Sequence, residues 1–173
     1  MKFALPAIVA AGALAFSGIA VAADGPSDPQ IAHIAYTAGN IDVAAAKQAL
    51  AKSHNVAVRE FASEMVRDHE AVNDKALALV KELKVTPEDN ATSQALNKGA
   101  AEEMKKLAAL NGAAFDKAYV QNEVAFHATV NGALKSTLIP SADNAQLKSL
   151  LETGLTLFGE HQMHAEHLAA TLK

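Results

Sequence analysis

Apolar residues recur at alternating three- and four-residue spacings through most of this chain, the mark of helices that each bury one stripe. The pattern predicts a first helix capped by Asp28, with Pro29 at its opening position, running to about Ala51 on the stripe Ile31, Ala35, Ala38, Asp42, Ala45, Ala49. A second, capped by Asn55 and running to about Lys84, follows Val58, Ala62, Met65, His69, Val72, Ala76, Leu79, Leu83. A third opens on the capping pattern Thr86-Pro87-Glu88-Asp89 and stops at Asn111-Gly112. Its stripe of Leu96, Ala100, Met104 and Leu107 is thin, which suits an outer helix or a crossover. The fourth runs from about Ala113 to Leu138, ending before Ile139-Pro140. Two of its faces compete: Asp116, Val120, Glu123, His127, Val130, Leu134 against Phe115, Ala118, Tyr119, Asn122, Phe126, Thr129. The last, capped within Asp143-Asn144-Ala145-Gln146, follows Leu147, Leu151, Gly154, Phe158, His161, Ala165, Leu168, Leu172. No segment reads as a strand and no internal repeat is present.

Those stripes place four long helices around one core, an all-α four-helix bundle in which the Thr86 to Asn111 helix crosses between two hairpins. Each core stripe is broken near mid-length by an acid or an imidazole. At 1.5 Å per residue, Asp42, Glu123 and His161 fall about 16 Å from the end holding the first turn, and His69 and His127 about 21 to 24 Å from it. Asp116 and His164 lie toward the open end of the same seam. Glu60 and Glu64 project the other way, with Arg59 and Arg67, as a solvated face.

A buried imidazole needs a hydrogen-bond partner, a proton or a metal. Residues of this kind facing one another across helices form transition-metal sites, and the donor set His69, His127, His161, Asp42, Glu123, Asp116 and His164 suits Fe, Mn, Zn or Cu without choosing among them. The di-iron pattern of Glu-x-x-His on two helices is missing, since Glu123 and His127 are four apart and Phe158 stands three before His161. The competing reading is a set of hydrogen-bonded buried pairs that fix helix register in a non-metal interaction module of the cell envelope.

Composition narrows the setting. The chain has 173 residues, 50% of them hydrophobic, enough for one sizeable core. Residues 1 to 22 read as an export signal: Lys2, an apolar run from Phe3 to Ile19, and Ala20-Val21-Ala22 as the cleavage site. The expected layout is a cleaved signal over 1–22, a linker over 23–28 and one helical domain over 29–173, delivered to the periplasm with no stable membrane insertion. An uncleaved anchor is the alternative, because the apolar run nearly reaches spanning length. Cysteine is absent, so disulfides and thiolate ligands are excluded. The net charge of -4 and the absence of any basic run give no footprint for nucleic acid. Glycine-rich phosphate loops and nucleophile elbows are absent too, so no motif supports an enzyme; a metal-dependent oxidase would need an open coordination position. The expected partners are a metal ion and either a second copy of the chain or an envelope protein.

Four blocks carry a resemblance to a known family: Arg59-Glu60-Phe61-Ala62-Ser63-Glu64-Met65-Val66-Arg67-Asp68-His69, Phe115-Asp116-Lys117-Ala118-Tyr119-Val120, Glu123-Val124-Ala125-Phe126-His127, and the stretch around His161. From about Ile31 to Leu168 the chain resembles the exported bacterial family known as domain of unknown function 4142. The resemblance implies a ferritin-like helical bundle in the periplasm, without an assigned activity. It also marks His69, Asp116, His127 and His161 as family positions, with Asp42 where relatives often carry an acid.

Overall fold

Helix ends follow side-chain caps. The computed structural model describes residues 25–172, so the expected signal over 1–22 lies outside the described residues. The chain forms α1 (Asp28–Lys52), α2 (Val56–Glu82), α3 (Ala91–Ala109), α4 (Gly112–Ala133), a π-helical turn (Leu134–Leu138), the short α5 (Ile139–Ser141) and α6 (Ala145–Thr171). No strand occurs among the described residues. Asn55, Asn90 and Asn144 each accept two backbone N–H bonds through the side-chain oxygen, for example from Gln146 at 2.9 Å and Leu147 at 3.0 Å. Each such cap contributes about 1 kcal/mol.

Three boundary expectations are corrected. Ser27, not Asp28, caps α1, and its N–H donates to Gln30 Oε1 at 3.2 Å. Asp28 instead accepts from the backbone N–H of Asp143 at 3.0 Å and of Asn144 at 2.9 Å, tying the start of α1 to that of α6. The third helix begins at Ala91 rather than in Thr86 to Asp89, because Asn90 offers the better cap while Asp89 accepts from the Ser93 hydroxyl at 2.7 Å. The fourth helix does not stop before Pro140. It passes through the π turn into α5, and the wider turn accommodates the proline's missing N–H.

Cross-helix hydrogen bonds set direction. Asn73 Nδ2 donates to Asn40 Oδ1 at 3.1 Å and Lys47 Nζ pairs with Glu70 at 2.7 Å, so α1 and α2 run antiparallel. Asn131 Nδ2 donates to both Phe158 O at 3.1 Å and Gln162 Oε1 at 3.0 Å, and one turn earlier His127 lies beside His161, so α4 runs antiparallel to α6. On α3, Met104 O accepts from Gln48 and Ala108 O from Lys52, so α3 runs parallel to α1. Helix α2 also packs on α6, and α1 on α4. Only Ser93 and Leu107 of α3 are buried, as its thin stripe predicted.

Two apolar clusters fill the interior. One, toward the α1–α2 turn, is built on Val58, Phe61, Met65, Phe115, Tyr119 and Leu168; the other, toward the opposite end, on Ile31, Ile34, Leu134, Leu138, Leu147 and Leu151. On α4 both competing faces contribute, since Phe115 and Tyr119 are as completely buried as Val120 and Glu123. Between the clusters lies a layer of buried polar side chains.

Candidate metal centre

Each core helix delivers its stripe-breaking residue to that layer: Asp42 from α1, His69 from α2, Glu123 and His127 from α4, His161 from α6. All five are 3% exposed or less. The imidazole rings of His69, His127 and His161 lie 5.3 to 5.6 Å apart between centroids, and one ring nitrogen from each falls within 4.8 Å of the others. Asp42, Glu123 and His127 make a second such group that shares His127. The helical rise had set His69 and His127 deeper than the other three. The structure brings the three histidine rings together although the helix ends from which that rise is counted fall within a residue or so of the expected bounds, so the helices do not end flush with one another.

Hydrogen bonding to the far side of two rings decides which nitrogen is free. His127 Nδ1 lies 3.0 Å from the carbonyl oxygen of Glu123, which can only accept, so Nδ1 carries the proton and Nε2 the lone pair. His161 Nε2 lies 3.1 Å from Asp68 Oδ2. Asp68 is held below the usual carboxylate range first by its hydrogen bond to Arg67, and so accepts as an anion, leaving the lone pair on His161 Nδ1. An outer partner that fixes the tautomer in this way is the usual support of a metal-ligating histidine.

The freed atoms have no partner. Among the described residues, His127 Nε2, His161 Nδ1, both nitrogens of His69 and both side-chain oxygens of Glu123 are buried without a hydrogen bond. Leaving one such atom unpaired costs about 1–3 kcal/mol, so the layer is a heavy burden on a helical core unless something binds it. Asp42 Oδ2 stands 3.4 Å from His69 Nε2, and the His69 ring stacks on Phe158 at 4.6 Å with 9° between planes.

Protonation suits ligation. Burial lowers His69 to about 3 and His127 to about 4, and lowers His161 as well, so all three are neutral imidazoles with lone pairs to give. Burial raises Asp42 to about 7 and Glu123 well above the carboxylate range, the latter helped by the Asp42 charge. A cation in the layer would therefore displace protons from the carboxyl pair. With metal–nitrogen distances of about 2.1 Å, ligand atoms sit within about 4.2 Å of one another, so the three rings need shifts of an ångström or less to close on an ion.

The remaining candidates lie elsewhere. Asp116 is buried with Oδ1 unpaired, two helical turns before Glu123, and joins none of the convergent groups. His164 is half-exposed; its Nδ1 meets Glu64 Oε2 at 2.8 Å and its ring stands edge-on to Phe61 at 5.1 Å. That pairing corrects the expectation of Glu64 as a purely solvated acid, and Glu64, Asp68 and His161 form a third group of converging ligand atoms.

A model of the family described as domain of unknown function (DUF4142) matches residues 16–168. The chain belongs to this family. No curated protein and no solved structure matches it. Within this family member, sequence reasoning missed Asp68, Glu64 and the Phe158 stack. A signal for the acids existed: Glu64 and Asp68 are four apart on α2, His161 and His164 three apart on α6, and antiparallel helices bring such pairs face to face.

Proposed function

We propose that this protein is a periplasmic, ferritin-like four-helix bundle, with α3 as its crossover, that binds a transition-metal ion through His69, His127 and His161 for metal handling or defence against oxidants. The observation that carries the reading is the set of unpaired imidazole nitrogens contributed by three helices, with the tautomers of His127 and His161 fixed from outside. Three neutral imidazoles favour Zn²⁺, Cu²⁺ or Fe²⁺ over hard cations. Asp42 and Glu123 supply charge compensation beside the three imidazoles. The pairings of α1 with α2, α4 with α6, α2 with α6 and α1 with α4 support the bundle. No helix among the described residues is long and apolar enough to cross a membrane. The export reading rests on residues 1–22 of the sequence.

The test is reconstitution of the mature protein with Fe, Mn, Zn and Cu, counting bound metal by mass spectrometry. The reading expects at least one ion per chain, lost in a His69→Ala, His161→Ala double variant. Sub-stoichiometric binding, or binding indifferent to the double variant, would overturn it in favour of a register-fixing polar core.

A further inference from the structure

A chamber of about 160 Å³ adjoins the polar layer on the side away from the α1–α2 turn. Small residues from three helices leave the space: Ala35 and Ala38 on α1, Ala76 on α2, Ala133 on α4. Its walls are aliphatic, with Leu134, Leu138 and Leu151 prominent. At one end stand Asp42, His69 and Phe158, and His69 is 2% exposed with both ring nitrogens unpaired. The half-buried Val72, Ala76, Val80 and Leu150 line the side where α2 and α6 meet solvent.

The volume and the lining together specify an occupant. Water is poorly held where few polar partners exist, and an apolar cavity of about 150 Å³ takes up a ring the size of benzene. Such a space in an ordinary core would be filled by larger side chains, since a cavity of this size costs a few kcal/mol. The polar groups at the end next to the layer are Asp42, His69 and Asn73, and the Asn73 amide is already engaged with Asn40 at 3.1 Å. We infer that the chamber binds a small apolar molecule of about six carbons, a single aromatic ring or short alkyl group, with one oxygen-bearing end directed at Asp42 and His69. Phenols and short alcohols fit this description, and charged or sugar-like molecules do not. The inference rests on the metal reading only for what the polar end meets.

The experiment uses ¹⁹F NMR of 4-fluorophenol and fluorobenzene with Zn²⁺-loaded protein. Saturable shifts are expected for both, with 4-fluorophenol the tighter. Ala38→Leu and Ala133→Leu fill the chamber from two different helices. Each should weaken both probes at least tenfold while metal per chain stays the same, and either variant alone suffices if the other does not fold. Replacing Zn²⁺ by Cu²⁺ should sharply accelerate ¹⁹F relaxation of bound 4-fluorophenol. Absence of saturable binding to the wild type, or equal binding to the filled variants, overturns the chamber. Binding that the variants abolish, in a protein that takes up no metal, supports the chamber and sinks the metal centre instead.

Discussion

Two sets of histidine and carboxylate groups lie about one helical turn apart, and they behave in opposite ways. In the inner set, His69, His127 and His161 are almost fully buried and keep unpaired nitrogens. In the outer set, His164 and Glu64 satisfy one another at 2.8 Å in partial contact with water. The sequence around His161 makes the outer pair look as promising as the inner residues, since His161, His164 and His167 fall within seven positions. What separates them is solvation. The outer pair is already satisfied by its own hydrogen bond and by water, so it gains less from a metal than a buried lone pair that has no partner.

The largest effect should come from removing an inner ligand. His127→Ala is expected to abolish stoichiometric metal uptake, measured by equilibrium dialysis, while His164→Ala retains it; equal losses would erase the distinction. Next is the hinge between the two sets. Asp68→Asn keeps the shape of the side chain but weakens its hold on His161 Nε2, and should reduce metal affinity about 10–100-fold in a chelator competition.

Glu123→Met comes third. Both carboxyl oxygens of Glu123 are buried and unpaired. An apolar chain of similar volume should raise metal-free stability by about 1–3 kcal/mol in urea unfolding, with weaker metal binding as its counterpart. A drop in metal-free stability would mean that Glu123 has a structural partner.

The pH dependence sharpens the same point. Burial lowers His69 to about 3 and His127 to about 4, so on acidification the unfolded chain takes up protons near 6.5 that the folded chain refuses. Their contribution is complete above pH 6.5 and is lost as pH falls toward 4. Asp42, raised to about 7, and Glu123, also raised by burial, act oppositely: their contribution is complete below about pH 4 and is lost as pH rises, for Asp42 through 7. Metal-free wild type should therefore be comparatively flat between about pH 4 and 6.5 and weaken above. In Glu123→Gln the histidines dominate, and stability should climb over that acid range in urea titrations. The smallest effect belongs to the outer pair, where His164→Ala should alter stability by no more than about 0.5 kcal/mol.

Helical phase alone exposed the inner set. Asp42, His69 and His161 each interrupt an otherwise apolar stripe with one inward direction. Glu123 and His127 share a stripe with Asp116 that competes with the face of Phe115 and Tyr119, and both faces turn out buried. Depth was less accessible, because counting rise from the helix ends assumes that the ends are level, and with the ends where they were expected the three rings still meet. Asp68 escaped notice because it sits on the flank of α2, where a residue faces either water or a neighbouring helix depending on packing. Tautomers and unpaired atoms lie beyond any one-dimensional pattern, since they depend on which carbonyl or carboxylate meets the far side of a ring. The cavity escaped for a related reason: Ala35, Ala38, Ala76 and Ala133 are unremarkable on their own helices and leave space only together.

The most direct measurement of the inner site is X-ray absorption at the metal edge of the stoichiometrically loaded protein. Three imidazole nitrogens at about 2.0–2.1 Å, with the ring scattering that histidine produces, are expected, and that signal should persist in His164→Ala and vanish in His127→Ala. A first shell of water or carboxylate oxygens alone, or ring scattering lost with His164, would contradict the assignment of the metal to the buried layer.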